Sequence, residues 1–344
     1  MSNYKQLSGA ILYALTMSIS ITPAFSQEQV VNIYSYRQAE LIAPLLDVFS
    51  EQTGIKTKAL YLGKGVLERI KAEGKNSPVD VILTTDISRL VDMKEGGVTQ
   101  TINSTIINAN IPPQYRDSAG NWFGLTARTR NIFASRNRVE QNSITYEELA
   151  DPKWKGRICT RSFQNVYNIA LISSIIAHNG EQATKQWLID VKNNLARPPS
   201  GNDRAQVKAI YSGECDISLG NAYYAGLMRT NEENPEQKDW EASVKILFPN
   251  SDTRGTHVNL SGMAMAKYAP NKEAALKFME FLSSSKAQEI YAEQVFEYPL
   301  KEGTNTSDIV SSFGQFKADD LPLETIAKNA ALASRLVDET GFDD

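Results

Sequence analysis

Tyrosine oxygen is the strongest chemistry this sequence offers. Three of its 14 tyrosines fall where a ligand could be held. Tyr223 and Tyr224 come directly after the run Cys215-Asp216-Ile217-Ser218-Leu219-Gly220-Asn221-Ala222, and Tyr167 stands beside Asn168, just past a polar turn at residues 160–165. A free phenol ionises near pH 10, and a close positive charge favours its ionised form. Hard cations prefer oxygen ligands, so two or three phenolates meeting at one point would grip a trivalent ion such as Fe³⁺. With two histidines and two cysteines in the chain, imidazole and thiolate sites for zinc or copper are disfavoured. Taken alone, an adjacent tyrosine pair is more simply read as one core and one rim residue.

Placing those phenols requires a scaffold, and the chain alternates strand and helix patterns. Val30-Val31-Asn32-Ile33-Tyr34-Ser35, Ile55-Lys56-Thr57-Lys58-Ala59-Leu60 and Val79-Asp80-Val81-Ile82-Leu83 read as strands, with helical patterns between them. This β-α-β-α-β order with short connections predicts a parallel sheet in a layered α/β domain. A second α/β region begins near Arg157, with strands at Ile158-Cys159 and residues 215–219 and a helix over residues 169–177. Ser261-Gly262-Met263-Ala264-Met265-Ala266 reads as a later strand, followed by an amphipathic helix over residues 274–285. Such sheets bind ligands at the carboxyl ends of their strands, which is where the three tyrosines lie. At 344 residues the chain exceeds one core, and no loose linker separates the halves, so the chain is expected to cross between lobes more than once.

The net charge of −4 argues against nucleic acid as a partner. Residues 1–26 read as a secretory signal: Lys5, a short apolar run, then Ala24-Phe25-Ser26 before a cut at Gln27. Export to an oxidising compartment permits Cys159 and Cys215 to pair, although two buried free thiols fit the sequence as well. A bridge would stabilise by about 2–4 kcal/mol. His178 reads as a capping or surface residue and His257 as the maker of a structural hydrogen bond. Gly63-Lys64-Gly65 lacks phosphate-loop spacing, and neither a Gly-x-Ser-x-Gly elbow nor a His-Glu-x-x-His motif is present.

Across nearly all of the presumed mature chain, the sequence resembles the periplasmic ferric-ion-binding proteins of bacterial ABC transporters, the FbpA/FutA group. The resemblance is carried by Tyr34-Ser35-Tyr36-Arg37, Leu62-Gly63-Lys64-Gly65, Thr84-Thr85-Asp86, Leu125-Thr126-Ala127-Arg128, Leu149-Ala150-Asp151-Pro152, Val166-Tyr167-Asn168, Gly201-Asn202-Asp203, Asn221-Ala222-Tyr223-Tyr224 and Glu297-Tyr298-Pro299, in that order. It implies an α/β, two-lobed periplasmic-binding-protein fold, each lobe a mostly parallel mixed sheet flanked by helices, with a hinge of crossing strands. The lobes are expected over residues 27–126 plus 254–300 and residues 127–253 plus 301–344. Crossings are expected near residues 125–128 and 253–258.

By the same resemblance, Tyr167, Tyr223 and Tyr224 are iron ligands and Fe³⁺ is the cargo, with carbonate or another synergistic anion completing the site. Arg128 is expected to balance charge or touch the anion, and Ser162, Asn202 and Asn221 match polar positions that hold it. Arg130, two residues beyond Arg128, is read as structural and on the opposite strand face. The first lobe departs from the family pattern: Gln38-Ala39 stands where many members carry a histidine, and the carboxylate some use after Leu62 is missing. Tyr36 is the candidate replacement ligand. The resemblance further implies a periplasmic monomer, no enzymatic activity, delivery of iron to an inner-membrane permease, and iron release on acidification. A receptor of the same fold for an anionic organic solute such as a phosphonate is the alternative. A secreted enzyme finds no nucleophile–base set to support it.

Overall fold

The computed structural model describes Met1 and residues 29–344, so the expected leader lies, Met1 aside, outside the described residues. Among the described residues nine strands form one sheet: seven follow the path β2-β1-β3-β8-β4-β6-β5, and β7 and β9 pair with β4 off that path. The strands are β1 (Val30–Ser35), β2 (Lys56–Tyr61), β3 (Val81–Thr84), β4 (Phe123–Ser135), β5 (Ile158–Cys159), β6 (Ile217–Asn221), β7 (Val244–Leu247), β8 (Val258–Met265) and β9 (Tyr298–Pro299). Strands β1, β2 and β3 pair in parallel, as the β-α-β-α-β pattern requires, and β5 pairs in parallel with β6. Among the described residues no helix is long and apolar enough to cross a membrane.

The architecture is the expected two-lobed α/β fold, and β4 explains how the lobes are joined. Its first half, Phe123 to Thr129, pairs antiparallel with β8 in the first lobe; its second half, Arg130 to Ser135, pairs with β6 and β7 in the second. All 13 of its residues are buried. The first lobe's core gathers Val31, Phe49, Leu83, Met263 and Phe278; the second lobe's gathers Ile132, Trp154, Ile172, Trp187 and Leu219. Trp122 and Phe123, at the entry to β4, are buried in the first core.

The C-terminal tail, expected wholly in the second lobe, contributes to both. Leu323 and Ile326 pack in the first core, whereas Leu336, Val337 and Phe342 pack in the second. Cys159 and Cys215 are joined as a disulfide, with Cα atoms 5.9 Å apart. The bridge fastens the end of β5 to the turn before β6, the two strands whose exits carry the tyrosines.

Candidate functional site

Three helix starts bring the candidate residues together. Tyr167 lies in the first turn of the helix Val166–Asn179, whose N-cap Asn165 accepts the Tyr167 N–H at 3.1 Å. Tyr223 and Tyr224 open the helix Tyr223–Arg229 directly after β6. Asn202 caps the helix Asp203–Tyr211, accepting the Ala205 N–H at 3.1 Å. Two of these helices open on a polar cap, whereas the helix of Tyr223 and Tyr224 follows β6 through Ala222, which makes no side-chain cap. Gly226 lets the tyrosine-bearing helix settle: a Cβ there would stand 2.3 Å from the Phe296 ring.

The phenols converge. The Tyr223 hydroxyl donates to the Tyr167 hydroxyl at 3.3 Å, and the rings of Tyr223 and Tyr224 lie 4.3 Å apart, centroid to centroid. Burial, then the neighbouring phenols of Tyr167 and Tyr224, raise the Tyr223 pKa well above the ordinary tyrosine value, against the opposing pull of Arg128. Burial and the Asp203 carboxylate raise that of Tyr224. Without a cation these two are neutral phenols. A cation reaching them must displace their protons.

The cleft they face has a volume of about 330 Å³ and is walled by both lobes. Tyr36, Arg37, Gln38 and Thr85 come from the first lobe, and Tyr167, Asn202, Arg204, Tyr223 and Tyr224 from the second, with Arg128 at the floor. Its lining includes three arginines and no carboxylate. The Arg128 guanidinium lies 5.5 Å from the Tyr167 ring and Arg204 5.3 Å from the Tyr224 ring. The Nε atoms of Arg128 and Arg204 are buried without hydrogen-bond partners. Among the described residues no group of three His, Cys, Asp or Glu side chains gathers to hold a metal, so the phenols are the metal-ligand cluster on offer.

Two buried networks hold this floor rigid. Asp203, fully buried, accepts from Arg130 at 2.7 Å, from Arg161 at 3.4 Å and from the Asn221 N–H at 3.1 Å. Arg130 also donates to the side chains of Asn168 and Asn221. In the second network Arg37 pairs with Glu297 at 2.6 Å, and Glu297 accepts from Ser261 at 2.8 Å and from Thr126. Burial would raise the Glu297 pKa, but Arg37 and Arg128 overcome it and hold it low.

Of the remaining expected residues, Asn202 lines the cleft, and Asn221 sits just behind it with its side-chain oxygen taken by Arg130. Ser162 is not brought to the tyrosines. Its hydroxyl donates to Asp343 at 2.5 Å, because the tail folds back over the turn after β5. Tyr36 borders the cleft with the Arg89 guanidinium 4.0 Å from its ring centroid, and burial raises its pKa above the ordinary tyrosine value. Arg130 corrects its expected placement. Residues two apart in a strand share a face, so Arg128 and Arg130 both lie over the Tyr167 ring, Arg130 at 5.9 Å. His257 also departs from expectation: neither ring nitrogen has a partner. His178, half-buried, meets Asp319 at 2.8 Å.

Sequence reasoning missed Arg204 and gave Arg161 no role at the site. The signal was available in Asn202-Asp203-Arg204, where a cap residue opens a helix whose next residues must face the same cleft.

Over residues 34–289 the chain matches the family described as bacterial extracellular solute-binding protein. The chain belongs to that family. This solute-binding protein is 43% identical over 327 residues to iron uptake protein A1 of Synechocystis, a match covering 94% of this chain and 90% of that one. Among solved structures it resembles the apo ferric ion-binding protein A of Pasteurella haemolytica, with a TM-score of 0.87 and 47% identity over 92% of this chain and 99% of that chain. It also resembles a Trichodesmium protein, IdiA (FutA), in complex with iron and citrate ligands, with a TM-score of 0.86 and 41% identity over 91% of this chain and 99% of that chain. The family and these relatives make it a binding protein, not an enzyme.

Proposed function

We propose that this solute-binding protein captures Fe³⁺ through the phenolates of Tyr167, Tyr223 and Tyr224 in the periplasm and delivers it to an ABC-transporter permease. The observation that carries the reading is the 3.3 Å contact between the Tyr167 and Tyr223 hydroxyls, with the Tyr224 ring 4.3 Å from that of Tyr223. Oxygen ligands around a small hard ion stand about 2 Å from it, so one ion reaches all three without rebuilding the second lobe. Three phenolates balance the charge of Fe³⁺. The arginines then favour an added anion, carbonate or a carboxylate, which Arg128, Arg204 and Asn202 would contact. Tyr36, on the first-lobe wall under the Arg89 guanidinium, is left outside the proposed ligand set.

The lobes are proposed to close over the cargo by rotation about the crossing segments, giving the permease a shape that separates loaded from empty protein. Residues 1–26 would serve as the export leader, and the carrier would act as a monomer.

The test is colour. Apo protein titrated with ferric citrate gains a visible phenolate-to-iron band, and Tyr223→Phe abolishes or strongly weakens it. The arginine-lined cleft also suits an anionic organic solute such as a phosphonate. Under that reading no band forms, a phosphonate binds in calorimetry, and Tyr223→Phe leaves its binding largely intact.

A further inference from the structure

Two stretches of chain cross between the lobes side by side, and both change partners at the same level. The β4–β8 pairing ends at Thr129 opposite Val258, and the β4–β6 pairing begins at Arg130 opposite Asn221. On the other stretch Thr256 pairs with the tail: its N–H donates to the Lys317 carbonyl at 2.8 Å, and its carbonyl accepts from the Asp319 N–H at 2.9 Å. Arg130 and His257 face each other at this junction.

Opposed residues of a hydrogen-bonded antiparallel pair exchange two backbone bonds. Arg130 and His257 make one directly, from the Arg130 N–H to the His257 carbonyl at 3.1 Å. The return bond runs through a side chain. The His257 N–H donates to the Tyr146 hydroxyl at 3.2 Å, and that hydroxyl donates to the Arg130 carbonyl. Tyr146 itself is anchored in the second lobe. Its ring lies in that core, its N–H donates to the Asn250 side chain at 2.9 Å, and its carbonyl accepts from the Trp187 indole at 2.7 Å. It is 1% exposed, and burial pushes its pKa far above the ordinary tyrosine value, so the hydroxyl stays protonated and both donates and accepts.

A direct N–H to carbonyl bond weakens steeply when bent. A hydroxyl can turn about its C–O bond and keep both neighbours while two strands change angle. Removing it leaves a buried N–H and a buried carbonyl that must find each other or go unpaired. The Arg130 side chain reaches Asp203, Asn168 and Asn221 beneath the tyrosines, so movement at this junction is passed to the cleft floor.

We propose that Tyr146 is the pivot of lobe closure, a positioning residue whose hydroxyl, set between Arg130 and His257, keeps the crossing strands hydrogen-bonded while the lobes turn. The proposal rests on the closure proposed above and not on which atoms hold the cargo.

Crystals of iron-free and ferric-citrate-loaded protein test the pivot. Main-chain dihedral changes between them should concentrate at residues 129–131 and 256–258, with the Tyr146 hydroxyl keeping both partners in each. Lobes that turn about other residues, or a hydroxyl that drops a partner, overturn the proposal and leave closure standing. Lobes in one arrangement in both crystals, with unchanged small-angle scattering, sink closure and pivot together. In solution, Tyr146→Phe should slow loading from ferric citrate and loss of iron to a chelator by roughly tenfold each, about the worth of one hydrogen bond. The visible band should keep its position, because the three phenols of the cleft are untouched. A merely structural role would lower the urea midpoint and leave both rates alone; that result refutes the pivot, as does a shifted band. Should the variant fail to fold, the crystal pair decides.

Discussion

Acidification should release the cargo with a steepness set by the number of phenols. Before loading, Tyr223 and Tyr224 are protonated at neutral pH, since burial and their neighbours raise both above the ordinary tyrosine value near 10. Each phenol that becomes a ligand gives up a proton, so binding strengthens as pH rises and weakens as it falls. With three ligands the logarithm of the iron affinity should climb with a slope of about 3 per pH unit. Between pH 7 and pH 6 that is about a thousandfold, or ~4 kcal/mol. Tyr223→Phe removes the hydroxyl that donates to Tyr167. Its slope should fall to about 2 and its affinity at pH 7 should drop sharply. The assay is competition against citrate, followed by the visible band and corrected for the protonation of citrate and the hydrolysis of ferric ion. A wild-type slope of 1 or less, or equal slopes in the two proteins, would refute phenolate ligation by this cluster.

Four further outcomes follow from the buried contacts. Arg130→Met should cost about 3–5 kcal/mol in urea unfolding, because it strips the fully buried Asp203 of its closest cation; an unchanged midpoint would show that Arg161 compensates. Cys159→Ser with Cys215→Ser should lower stability by about 2–4 kcal/mol, with the reduced wild-type protein matching the double variant. Gly226→Ala should cost about 1–3 kcal/mol by forcing Phe296 from the helix that carries the tyrosines, and should weaken the iron band as well. Glu297 has a lowered pKa in the folded protein, so its contribution is present above the ordinary carboxylate range near 4.3. That contribution is lost as pH falls through the folded value. Urea midpoints followed from pH 6 downward should show an acid-dependent loss in wild type that Glu297→Gln lacks.

Much of the site was legible because it depends on local sequence. Polar caps at Asn165 and Asn202, and a strand running straight into Tyr223-Tyr224, fix which residues open a helix at a strand's carboxyl end. The misreadings were of a different kind. Ser162 has the right type and neighbourhood, but its partner Asp343 is 181 residues away, and no local pattern reveals that the tail folds over this turn. Arg130 was placed on the wrong face, although the two-residue strand period was sufficient to place it beside Arg128. His257 was expected to find a hydrogen bond, yet in the packed fold neither ring nitrogen has a partner.

The sequence by itself determined the alternation of strands and helices, the parallel first sheet, and a cluster of tyrosines with few rival metal ligands, since periodicity and residue chemistry are properties of short stretches. The tertiary structure alone decided that β4 serves both lobes, that the two cysteines meet, and that arginines rather than carboxylates line the cleft. Those outcomes depend on distances between residues far apart in the chain, which are set only when both cores pack around the shared strand.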